Sequence, residues 1–295
     1  MYDIKAIYEA FSIDEAIKLK KDHKDAHFIA GGSDLLIKIR EGRIKDAELI
    51  SIYLVDELRG VSLLDDESLR IGGLTSFSKI TSDRLIKERL KTLGEAVDTA
   101  GGPQLRNIAT IGGNICNGVP SADSAPTVFA YDGIIELRGE DGLREVPVKD
   151  FYLGFGKVDL RDSELLTGVK FKKESYQGYL GHYYKYAMRK AMDIATSSVS
   201  VNVKFEGKNK IEDIRAAYGV ASSVPIRVPK AEELFRGKEL TEENMKLFAK
   251  EALKELSPRD SWRASKEVRR QVLYEITVRS LREILKNHQG GEDAQ

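Results

Sequence analysis

The chain has 295 residues, enough for two domains that each bury a core. Its 47 Lys and Arg balance 47 Asp and Glu, so no net field selects nucleic acid or an anionic membrane. The apolar runs are strand-sized, well short of the roughly 20 residues of a membrane span, and no basic-then-apolar leader follows Met1-Tyr2-Asp3, so the expected location is the cytoplasm. Taken in chain order, Phe11 to Lys21 has helical spacing with Ser12 placed as its cap, and Ala26 to Ala30 is a short apolar strand running into Gly31-Gly32. Ser33 and Asp34 then introduce a short helix from Leu35, and strands follow at Leu49–Tyr53 and Ser68–Ile71, the latter ending in Gly72-Gly73. Ile80 to Asp98 has a helical period and leads into a Gly-rich stretch from Gly101 to Pro126.

Strands are expected at Ile134–Leu137 and Leu165–Phe171, and the polar run Glu174 to Gly178 reads as a loop at a domain boundary. Beyond it, Ala195–Phe205 and Ile214–Ala221 alternate as strands. Thr241–Leu256 and Lys266–Lys286 read as helices, and the tail from Gln289 to Gln295 as disordered.

Cysteine usage narrows the chemistry. Cys116 stands alone, so no intramolecular disulfide forms, and an iron–sulfur cluster needs about four thiolates. His23, His27, His182 and His288 lack the spacings of a zinc site. Any redox work here therefore falls to an organic cofactor, and the expected role of Cys116 is that of a small buried hydrophobe.

Two glycine motifs carry the ligand chemistry. The first is Ile29-Ala30-Gly31-Gly32-Ser33-Asp34-Leu35-Leu36, a strand that ends in paired glycines and opens a helix. Such a turn leaves backbone N–H groups unobstructed by Cβ atoms, as phosphate or pyrophosphate binding requires; the alternative is a plain strand-to-helix turn. The second is Thr110-Ile111-Gly112-Gly113-Asn114, continued by Asn117-Gly118 and Ser121-Ala122-Asp123-Ser124, whose polar side chains suit a ligand with phosphate and ribose groups. Neither G-x-G-x-x-G nor a P-loop occurs, which speaks against a Rossmann site or an NTPase.

Ala30 to Asp34 and Gln104 to Asn114 together resemble the medium, FAD-binding subunit of molybdenum hydroxylases, most closely that of bacterial xanthine dehydrogenases. Tyr184 to Arg189, Met192 to Ala195 and Ser261 to Glu267 extend the resemblance over nearly the whole chain. It implies an α+β protein: a two-subdomain FAD-binding PCMH (vanillyl-alcohol-oxidase-like) fold over 1–176, divided near 55, a C-terminal α+β domain over 177–287, and a flexible tail over 288–295. By the same resemblance Phe28 to Leu35 and Thr110 to Asn114 hold the FAD diphosphate, and Asp123 contacts the adenosine side. Leu166 lies near the isoalloxazine, and Lys185 contacts the flavin. The implied partners are a large molybdenum-cofactor subunit and a small [2Fe–2S] subunit, in a dimer of heterotrimers with NAD+ as electron acceptor. Two alternatives stay open: a carbon-monoxide-type or other hydroxylase with a different acceptor, and a flavin-binding assembly protein without catalysis.

Overall fold

A computed structural model describes residues 2–292. The chain opens with a parallel sheet of β1 (Ile4–Glu9), β2 (His27–Ile29) and β3 (Ala47–Ser51), in the order β1-β3-β2. β3 lies at the centre, so both its faces are apolar: Ile50 faces one core with Ala16 and Ala26, whereas Ala47 and Leu49 face another with Ile39 and Leu36. The helix Ile13–Asp22 starts where expected: Ser12 accepts from the Glu15 amide at 3.1 Å, and the Glu15 carboxylate accepts from the Phe11 amide at 2.8 Å.

The second unit is an antiparallel sheet. Its chain-order strands are β4 (Val61–Leu63), β5 (Leu69–Gly72), β6 (Ile134–Gly139), β7 (Gly142–Pro147) and, after the small hairpin of β8 (Tyr152–Gly154) and β9 (Lys157–Val158), β10 (Leu165–Phe171). The sheet order is β4-β5-β10-β6-β7. Short helices between Phe77 and Ala130 cover it, and Phe77, Leu93, Ile111, Val128 and Phe171 meet in its core. The periodicity of Ile80–Asp98 is real but broken into three helices, Phe77–Ser82, Arg84–Arg89 and Lys91–Asp98. The first break falls at Asp83, whose carboxylate accepts from the Leu85 amide and so caps a new helix, and the second at Leu90.

The third unit is the antiparallel sheet β11 (Tyr179–Tyr186), β12 (Ser197–Glu206), β13 (Lys210–Gly219) and β14 (Ile226–Arg227). Val199, Val201 and Val203 turn toward the helices Glu242–Glu255 and Lys266–Glu292. The opposite face, Ser198, Ser200 and Asn202, is also buried, against the helices Lys91–Asp98 and Ala125–Ala130 of the preceding unit. A short helix, Lys173–Tyr176, occupies the expected boundary loop, with Tyr176 buried in the second core. The helix Lys266–Glu292 runs on through the first residues expected to be tail, because His288 stacks on Phe205 at 4.2 Å and lies 3.1 Å from the Gly207 carbonyl. Residues 293–295 of that tail lie outside the described residues.

Candidate functional site

The first glycine turn leaves β2, where Phe28 and Ala30 pack into one core of the parallel unit and Ile29 into the other. Gly32 has φ +69, a left-handed conformation that suits glycine. Gly31 is required sterically: a Cβ there would lie 1.8 Å from the Ile108 carbonyl oxygen. The Gly32 carbonyl accepts from Leu36 and the Asp34 carbonyl from Lys38, while the amides of Gly31, Gly32, Ser33, Asp34 and Leu35 donate to no acceptor among the described residues. Consecutive open amides about a left-handed glycine form a concave cluster of positive partial charge, the backbone arrangement that receives an anion. Asp34 is drawn aside by Lys38, 2.5 Å from its carboxylate, and Leu35 packs inward.

The second motif is built differently. Thr110 caps a helix, Ile111–Cys116, and its hydroxyl accepts from the Gly113 amide at 3.2 Å. The Ile111 amide donates to Thr75 and the Gly112 amide to Gly73 at 2.9 Å. The first motif thus leaves its amides open, whereas at the second, also expected to hold the diphosphate, capping and the neighbouring strand end use those of Ile111, Gly112 and Gly113. What Gly112 provides is closeness: a Cβ there would meet the Gly73 carbonyl at 2.8 Å. Gly113 faces solvent, and the Asn114 side chain accepts from the Ser124 hydroxyl at 2.6 Å, tying the motif to the segment that carries Asp123.

The two motifs and the other expected site residues converge. Gly31 touches the Ile108 carbonyl just before Thr110, and Lys38 reaches the Asn117 side chain at 3.3 Å. Gly73 packs on the Leu166 carbonyl, which brings β10 beside Gly112. Asp123 and Lys185 form an ion pair at 3.0 Å across the junction with the third unit, and Lys185 also donates to the Thr99 carbonyl at 3.1 Å. Tyr183, two residues earlier on the same face of β11, donates to Asp123 at 3.3 Å. Burial pushes the Asp123 carboxyl up, while the Lys185 ammonium and the Tyr183 hydroxyl draw it back down. Burial also holds the Tyr183 hydroxyl well above its ordinary range, so it stays a donor.

Sequence reasoning left out Gly73, Ile108, Thr99 and Tyr183. Gly73 had a signal, since strand-Gly-Gly recurs at Gly72-Gly73, and Tyr183 had its alternation with Lys185. Ile108 and Thr99 act through backbone carbonyls and have none. Cys116 packs beside the core of the second unit, where burial pushes its thiol up to about 12, so it carries no thiolate near neutral pH.

Residues 2–171 match the family described as FAD binding domain in molybdopterin dehydrogenase, and residues 182–284 match CO dehydrogenase flavoprotein C-terminal domain. The chain belongs to that family. It is 36% identical to the xanthine dehydrogenase FAD-binding subunit of Escherichia coli over 96% of this chain and 97% of that one. It is 30% identical to the glyceraldehyde dehydrogenase medium chain of Sulfolobus acidocaldarius over 93% and 96%. Among solved structures, a carbon monoxide dehydrogenase chain from Hydrogenophaga pseudoflava superposes with a TM-score of 0.90 at 26% identity, covering 96% of this chain and 97% of that one. Quinoline 2-oxidoreductase from Pseudomonas putida shares the fold, with a TM-score of 0.92 at 21% identity over 98% and 99%. The expected α+β architecture stands, and FAD is the cofactor of this medium-subunit family member. The turn at Gly31-Gly32 fits that cofactor, because an FAD diphosphate supplies the acceptors its open amides lack.

Proposed function

We propose that this chain is the flavin-carrying electron-transfer subunit of a xanthine-dehydrogenase-type molybdenum hydroxylase, working in the cytoplasm with a large molybdenum-cofactor subunit and a small [2Fe–2S] subunit, in a dimer of heterotrimers. Bound FAD would supply the exchange between single electrons from the partner's clusters and a hydride passed to NAD+. The observation that carries the reading is the run of open amides from Gly31 to Leu35, in a chain 36% identical to a xanthine dehydrogenase FAD-binding subunit.

The residues of this chain then bind and orient. The first turn holds the diphosphate through its backbone, and Phe28, Ile29 and Ala30 fix that turn on the sheet. Thr110, Gly112, Gly113 and Asn114 form the second wall, lying close because Gly73 and Gly112 lack side chains. Asp123 serves the adenosine side, and Leu166 packs toward the ring. Lys185, held by Asp123 and Thr99, provides a fixed cation whose field favours negative charge on the reduced ring.

Gel-filtered protein with Gly113→Val tests the assignment cleanly, since Gly113 is exposed and its Cβ meets only the Thr110 hydroxyl at 3.0 Å. It should lose most of its flavin and keep its helix content, as should Gly32→Val at the left-handed position. Full flavination of both variants would place the cofactor elsewhere. The 26% identity to a carbon monoxide dehydrogenase chain over 96% of this one supports a second reading, the same subunit role in a carbon-monoxide-type hydroxylase, for which the acceptor would be other than NAD+.

A further inference from the structure

The segment Pro258 to Arg270 concentrates charge in an otherwise neutral chain, with five cations, Arg259, Arg263, Lys266, Arg269 and Arg270, against Asp260 and Glu267. None of the four arginines has an ion-pair partner among the described residues. Lys266, Arg269 and Arg270 also stand at the start of the helix Lys266–Glu292, the end whose dipole repels cations. Asp260 answers them only in part: its carboxylate accepts from the Lys266 amide at 2.7 Å, and its charge only opposes the lowering of the Arg269 pKa. Arg269 is buried and bonds the Thr196 carbonyl and, at 2.6 Å, the Ser261 hydroxyl; burial and the nearby Arg259 and Arg263 lower its pKa. A chain arranged this way is short of negative charge at one place on its surface.

The neighbouring side chains indicate what supplies that charge. Trp262 is 78% exposed with the Arg263 guanidinium 4.2 Å from its ring centroid, and Phe155 is 59% exposed with Arg259 at 5.3 Å. A guanidinium stacked on a ring keeps its N–H edge free for a carboxylate, and each exposed ring offers apolar area beside it. The guanidiniums lie over separate rings rather than converging on one point, which suits several carboxylates on a surface better than one small ion. Tryptophan with arginine is the composition of protein-binding hot spots.

We propose that Arg259, Trp262, Arg263 and Phe155 form the docking surface for a carboxylate-rich face of a partner polypeptide. The inference rests on the subunit reading above and adds where the companion binds. The test isolates the tagged full-length chain from the cells that make it and compares wild type, Arg259→Glu/Arg263→Glu, Trp262→Ser and a control, Lys87→Glu. Wild type and the control should bring down companion polypeptides that leave as salt is raised. Both patch variants should bring down at least about tenfold less, with flavin content and thermal midpoint unchanged. Carbodiimide coupling of the wild-type complex should join Lys266 to an Asp or Glu of the companion. Unchanged companion yield in the variants, loss of flavin from them, or coupling of Lys266 only within its own chain would each overturn the proposal. A wild-type chain that isolates alone would bring down the subunit reading itself, which separates the two failures.

Discussion

Asp123 and Lys185 meet where two structural units join, so each has a role in stability apart from any contact with cofactor. Removing one partner of such a pair leaves the other charge buried, at about 3–5 kcal/mol, whereas removing both is milder. A double-mutant cycle with Asp123→Asn and Lys185→Met should therefore give a coupling of about 1–3 kcal/mol in denaturant melts. Additive losses would mean that the pair is solvated in solution. Lys185→Met should also slow flavin reduction more than it weakens FAD retention, because a fixed cation acts on charge that develops in the ring. His182 gives a pH test at the same scale. Burial lowers its pKa, and its Nδ1 lies 3.1 Å from the Ser280 hydroxyl. The unfolded chain thus binds the proton first, so the stability from this group is full above its ordinary value of 6.5 and is lost as pH falls through the lowered folded value. His182→Gln should flatten the fall in thermal midpoint below that pH, and an unchanged slope would assign the acid sensitivity to other groups.

At the scale of elements, the cap at Ser12 is the simplest to check. Ser12→Ala removes the acceptor of the Glu15 amide and should cost about 1 kcal/mol in a chemical melt. This cap was legible because capping chemistry is local, and so were the first glycine turn and the strand Leu165–Phe171. β1 was missed because Ile4–Glu9 alternates only weakly and owes its place to pairing with β3, a contact some forty residues away. β12 shows the reverse problem: its alternation was readable, yet polar Ser200 and Asn202 are fully buried against another unit, which a two-residue period ascribes to solvent. At the second glycine motif the residues were readable and the hydrogen bonds were not. The partners of Ile111 and Gly112 are the carbonyls of Thr75 and Gly73, placed there only by the sheet.

On the scale of the whole molecule, three units bring together residues from Gly31 to Lys185, and the groups that join them are glycines and carbonyls as often as charged side chains. Gly31→Ala should therefore act globally, since its methyl would strike the Ile108 carbonyl and part the first unit from the second. Loss of flavin together with a lower thermal midpoint is expected, in contrast to Gly113→Val, which should lose flavin alone. The electron-transfer role is tested most directly by anaerobic titration of the flavin-loaded chain with NADH, following the visible flavin band. The account predicts that the band bleaches with about one equivalent and that the electrons pass on to an added dye. A flavin that stays oxidised with NADH while a quinol reduces it quickly would contradict NAD+ as the acceptor.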